Sequence, residues 1–180
     1  MVGFFISHPL VWTTPCKALN FFMPPYKPTL RIIMLAGLVA GILDITAAIL
    51  IYCIKGSLPI ITLFQSIARG VLGDPAFQGG WSTATLGLLL HFVIATLFAA
   101  GYSLVLKVIP TLYKYTLAAG LGYGIIAWLT MNYVVVPLSL AARGAIVWNT
   151  NTFLNIGAHL FCVGFSIAYR THQAYKTQLR

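Results

Sequence analysis

Four long apolar stretches, at 32–54, 84–106, 116–138 and 153–169, alternate with short segments that hold most of the proline, lysine and arginine. A helix rises about 1.5 Å per residue, so about 20 residues cross a hydrocarbon core ~30 Å thick. The first three stretches meet that length, and Asn151 and Thr152 extend the fourth at the interface. Lipid offers no partner to an open strand edge, and none of these stretches alternates polar and apolar residues as a barrel strand does. The pattern therefore predicts an all-α fold. It is an integral membrane four-helix bundle over residues 31–170, with the helices arranged in sequence order and neighbours antiparallel.

The longest loop, 57–80, carries a different pattern. Thr62, Gln65, Ser66 and Arg69 recur at helical spacing among Ile, Leu, Phe, Val and Ala. That predicts a short amphipathic helix over 59–72, ended by Gly73, Asp74 and Pro75. It lies in the outer interface or, alternatively, dips inward so that Gln65 and Arg69 face a cavity. Residues 1–30 read as an interfacial arm anchored by Phe4, Phe5 and Trp12, with a start at Met23 or Met34 as the rival. No basic region precedes the apolar run at 2–6, so no signal peptide is read there. Residues 171–180 read as a cytoplasmic tail, with His172, like His8, solvated.

Composition narrows the class. The 180 residues are 59% hydrophobic and 7% charged, where a soluble domain is about a quarter charged. So little charge cannot cover a soluble surface, but it can cover the two ends of a bundle in lipid. The net charge of +9 would suggest nucleic acid in a soluble chain. Here the cations mark the ends of the spans instead. Lys17, Lys27, Arg31, Lys107, Lys114, Arg170, Lys176 and Arg180 fall on one side; Lys55, Arg69 and Arg143 fall on the other. The positive-inside bias then places both termini in the cytoplasm, and no nucleic-acid partner is expected. Tyr102, Tyr113, Tyr115 and Tyr169 occupy aromatic-belt positions on one side, Trp81 and Trp148 on the other.

Polar groups inside spans are costly and need partners. Asp44 sits on a face with Gly37, Ala40, Gly41, Ala47 and Ala48, and small-residue stripes let helix backbones approach closely. His91 shares a face with Ala84, Gly87, Ala95 and Ala99, and span three offers Gly120, Gly124 and Asn132. On span four, Asn155, His159, Cys162, Ser166 and Arg170 form one polar stripe. Depths from the outer end are roughly 15, 11 and 9 Å for Asp44, His91 and His159 at ~1.5 Å per residue. The three therefore predict one shared layer with Asn132 and Asn155.

Several readings of that layer stay open. It serves as proton or small-solute passage, since histidine titrates near neutrality. It acts as hydrogen-bonded glue, each interhelical bond worth about 0.6–2 kcal/mol. It belongs to a subunit of a larger membrane complex or homo-oligomer. It holds haem or a metal on His91 and His159; no cofactor is predicted. Cys16, Cys53 and Cys162 lack pairing or zinc spacing. No phosphate loop, HExxH or nucleophile elbow is present and the loops are short, which points away from an enzyme.

The run from His91 through Phe98, Ala99, Gly101 and Tyr102 to Pro110 resembles the YagU-like family of bacterial inner-membrane proteins. Gly157, His159, Leu160 and Arg170 are similar to its last span, and the start of span one at Gly37, Ala40 and Gly41 is a weaker match. Asp44 departs from the pattern. The resemblance covers about a third of the chain in short pieces. It implies a four-helix protein of the bacterial inner membrane with no established biochemical activity.

Overall fold

The computed structural model describes residues 26–142, 144 and 146–178. The N-terminal anchors Phe4, Phe5 and Trp12 lie outside them, as do His8, Cys16, Lys17, Arg143 and Arg180. The described chain is helical throughout its ordered elements, without a strand among the described residues. Four helices are long and apolar enough to cross a membrane: α1 (Leu30–Ile54), α3 (Gly80–Val108), α4 (Pro110–Leu138) and α5 (Thr150–Gln178). Between α1 and α3 lies the short α2 (Ile60–Leu72).

Local chemistry sets these boundaries. The Thr29 hydroxyl accepts from the Ile32 N–H (3.4 Å) and starts α1, and Asn149 Oδ1 accepts from the Thr152 N–H (3.0 Å) and starts α5. Gly73, at φ 68°, ends α2 in a conformation that favours glycine. Pro110 opens α4 with a tight 3-10 turn to Tyr115, so this span begins ahead of the expected residue 116.

Small residues bring the helices together. A β-carbon on Gly37 would lie 2.6 Å from Thr96 Cα, and one on Gly41 would lie 2.7 Å from the Phe92 ring, so α1 packs directly on α3. A β-carbon on Gly120 would lie 2.8 Å from Phe165 Cα, and one on Gly124 would lie 2.5 Å from Leu160 Cα, so α4 packs on α5. Gly87 serves a different contact: the Phe64 carbonyl of α2 rests against it. With α1 also on α5, the order of close neighbours is α3, α1, α5, α4. Apart from the turn joining them, α3 and α4 meet through Tyr123, whose hydroxyl donates to the Phe98 carbonyl (2.7 Å). The core holds Ala36, Ala40, Ala99, Tyr102, Ala127, Val163, Ile167 and Ala168.

Three spans contain wide π-helical turns, at Ile49–Ile54, Met131–Val135 and His159–Phe165. The second has a visible cause. Pro137 has no N–H and crowds the carbonyl four residues before it. The Val136 N–H bonds instead to the Met131 carbonyl, five residues back.

The last span runs on past Tyr169 to Gln178, where the sequence pattern had suggested a solvated tail from 171. Its inner face continues through Thr171, His172 and Tyr175, all buried. His172 is 2% exposed and bonded at both ring nitrogens, to the Tyr102 hydroxyl (2.7 Å) and the Thr116 hydroxyl (2.8 Å). Both expectations for this pair are corrected: His172 is not solvated, and Tyr102 is inside the bundle, not in an aromatic belt. The face is built of polar residues, so no apolar period announced it. Tyr26 packs edge-on against Tyr175, and burial beside Ser103 pushes its phenol up from the ordinary value. The backbone of Lys27 exchanges two hydrogen bonds with the Gln178 side chain, closing this end.

Candidate functional site

The site begins with one side chain from each of three spans and two from the fourth. Asp44 projects from α1, His91 from α3, Asn132 from α4, and Asn155 and His159 from α5. All five line a single cavity of about 420 Å³. The gap between α3 and α4 makes room for it, with Ile94, Ala95 and Phe98 on one wall and Met131, Asn132 and Val135 on the other. Towards the loops it reaches Leu58, Phe77, Ser139 and Ala141; towards the other end it stops at Phe98 and Val163, which join the packed core. Each π-helical turn contributes a lining residue: Tyr52, Asn132 and His159 among them. Such turns occur frequently at functional sites because the extra residue re-aims a side chain.

The hydrogen bonds around the cavity run outward. His91 Nε2 donates to the Gly41 carbonyl (2.9 Å), which leaves Nδ1 as an acceptor in the neutral ring. His159 Nδ1 donates to the Asn155 carbonyl (3.0 Å). The Trp128 indole N–H donates to Asn155 Oδ1 (3.0 Å), and Asn132 Nδ2 donates to the Trp128 carbonyl (2.9 Å). Asp44 makes no hydrogen bond within the described residues. Its Oδ1 stands 4.0 Å from His159 Nδ1, at the outer limit of an ion pair, with the side chains 18% and 13% exposed. A carboxylate held away from bulk water needs compensation, and the cavity is where water or a solute can supply it.

The loop helix divides its polar stripe. Ser66 and Arg69 line the cavity, and Arg69 Nε also donates to Asp74 Oδ1 (2.7 Å). Gln65 turns the other way: its Nε2 donates to the Gly80 carbonyl (3.1 Å) and approaches Thr83 Oγ1 (3.4 Å). Adjacent helical positions are about 100° apart, so Gln65 and Ser66 cannot share a narrow face. Gln65, expected as a cavity contributor, is instead a clamp between α2 and the start of α3. Gln65→Ala is expected to cost about 0.5–1.5 kcal/mol of stability in a detergent unfolding assay, since the buried Gln65 side chain loses its bond to the Gly80 carbonyl. Any activity of the cavity should survive it.

The stripe on span four divides as well. Asn155 and His159 reach the cavity; Ser166 folds back onto the Cys162 carbonyl; Arg170 lines a separate groove at the far end. The wide turns from His159 to Phe165 rotate every later position away from the line drawn at regular spacing. His91 and His159, the metal candidates, each spend one nitrogen on a backbone carbonyl. Among the described residues, no three His, Cys, Asp or Glu side chains are grouped to hold a metal ion.

No protein-family model, curated protein or solved structure matches this chain.

Proposed function

We propose that this is a small multi-pass membrane protein whose cavity admits protons or a small polar solute and supports their passage, with Asp44 and His159 as the central pair. One observation carries the reading. Five polar side chains from four spans surround a void of about 420 Å³, and Asp44, the one carboxylate among them, makes no hydrogen bond within the described residues and stands 4.0 Å from His159. Packing glue would draw the groups onto one another and close the space. Two bonds at its rim are glue-like: His91 to the Gly41 carbonyl joins α3 to α1, and Trp128 to Asn155 joins α4 to α5.

The location is part of the proposal. Lys27, Arg31, Lys107, Lys114, Arg170 and Lys176 share one end, so that end faces the cytoplasm and the cavity opens outward. The membrane is a bacterial inner membrane, in keeping with the YagU-like resemblance of the runs His91 to Tyr102 and Gly157 to Arg170.

The test is flux into reconstituted vesicles. Protein-containing vesicles should dissipate an imposed proton or solute gradient faster than protein-free ones. Val135→Trp, which fills the gap between α3 and α4, should return the rate to the protein-free level. Equal rates with and without the wild-type protein would refute the proposal.

A further inference from the structure

The chain holds eleven Lys and Arg but only two acids, Asp44 and Asp74. Both acids are committed away from the basic end. Asp74 bonds Arg69 beside α2, and Asp44 lies about 21 Å along α1 from Leu30 at ~1.5 Å per residue. Arg170, at the basic end, therefore has no acidic side chain of its own chain within reach. An anion from outside the protein can supply that charge at Arg170.

At that end a groove of about 210 Å³ runs between α1 and α5. Its floor from α1 is Ile32 and Leu35; from α5 come Arg170, Gln173, Ala174 and Thr177. The α5 set falls at helical spacing on one face, so a guanidinium, a carboxamide and a hydroxyl are stacked along one wall. Arg170 is half-buried and makes no hydrogen bond or ion pair within the described residues. Arg31 precedes Leu35 by one turn on the same face, and Lys27 is tied by its backbone to Gln178, next to Thr177. Beyond the groove α1 exposes Met34, Leu35, Leu38 and Ile42 along its length.

We propose that this groove binds the headgroup phosphate of an anionic phospholipid. Arg170 holds the phosphate through charge-assisted hydrogen bonds, the Gln173 carboxamide N–H donates to a remaining oxygen, Thr177, whose hydroxyl donates to the Gln173 carbonyl (3.1 Å), closes the end of the groove, and the acyl chains follow the exposed leucine and isoleucine ridge of α1. An acyl-bearing occupant is favoured over a soluble anion because half of the groove is apolar and that ridge continues it into the bilayer.

The experiment is native mass spectrometry of the full chain released from nanodiscs of phosphatidylcholine mixed with phosphatidylglycerol. The wild type should retain phosphatidylglycerol in preference to phosphatidylcholine. Arg170→Gln should lose about tenfold of that preference, and Lys107→Gln, an exposed cation on another helix of the same end, should keep it. Gln173→Leu, which leaves the arginine in place, is a second variant and should weaken retention by a smaller factor. Equal retention of the two lipids by the wild type, or an unchanged preference in Arg170→Gln, would overturn the proposal. Displacement of the lipid by millimolar inorganic phosphate would overturn the lipid assignment in favour of a soluble anion. Because no variant touches the cavity, flux measurements stand or fall independently.

Discussion

Asp44→Asn should abolish flux while leaving the protein folded. The substitution keeps the shape of the side chain and removes its charge and its exchangeable acid. Asp44 has no hydrogen bond within the described residues to lose, and the His159 ring stands 4.0 Å away. Removal of a positioned proton-transfer group lowers rates by about 10²–10⁴-fold, so the vesicle flux should fall by that order. Stability should hold or rise, because an ionised carboxylate in a low-dielectric setting is costly unless well paired. The two readouts together discriminate. A side chain that merely locks helices would lose stability on neutralisation and carry no flux to lose. His159→Gln should follow the same pattern, with a smaller loss where water in the cavity replaces the imidazole.

The second large effect is on folding. Gly124→Leu should destabilise the bundle by about 3 kcal/mol or more, since a side chain forced into packed backbone exceeds ordinary overpacking. The β-carbon alone would meet Leu160 Cα at 2.5 Å and the His159 carbonyl oxygen at 2.6 Å. Those are backbone atoms of α5 and cannot swing aside. Gly164 sits opposite with the same restriction against Gly120 and Gly124, so neither helix can yield locally. Gly122 is the matched control: an added β-carbon meets nothing within 4 Å, and Gly122→Ala should stay within about 0.5 kcal/mol of wild type. Unfolding in mixed detergent reads both. Because His159 lies in the contact that Gly124 permits, any folded remnant of Gly124→Leu should also have a displaced cavity wall.

The spans and the small faces were legible because both follow from one period. Apolar length identifies a crossing helix, and glycine or alanine recurring every third or fourth residue identifies its packed side. The positions of Asp44, His91 and His159 followed from the same arithmetic, and the three line one cavity. Three features were hidden, each for a physical reason. The void itself depends on how far α3 and α4 stand apart, which no single helix encodes. The π-helical turns at Met131–Val135 and His159–Phe165 break the period on which the extrapolation rests, so Arg170 left the stripe it was assigned to. Pro137 gave a hint of the first of these; the second has no comparable mark in the sequence. The buried face of Thr171, His172 and Tyr175 was hidden because its hydrogen bonds, not its hydropathy, make it internal.

His172 also bears on how passage would proceed. Below the cavity, Phe98, Tyr123, Tyr102 and His172 form a continuous series of ring contacts, closed by the Tyr123 and Tyr102 hydrogen bonds. The described conformation is thus open towards the loops and closed towards the basic end. Passage across the whole bilayer requires this series to part, or requires protons to move along its hydroxyl and imidazole groups.

The most direct measurement of the central claim is the accessibility of Val135, which lines the cavity and is half-buried. Val135→Cys is placed in a background where Cys16, Cys53 and Cys162 are serine or alanine, and a charged, membrane-impermeant thiol reagent is applied to oriented vesicles. A water-filled cavity open at the loop end predicts rapid labelling from that side, none from the other, and protection when Asn132 beside it is replaced by leucine. Absence of labelling from both sides in folded protein would show a dry interior, and the polar layer would then be packing and nothing more.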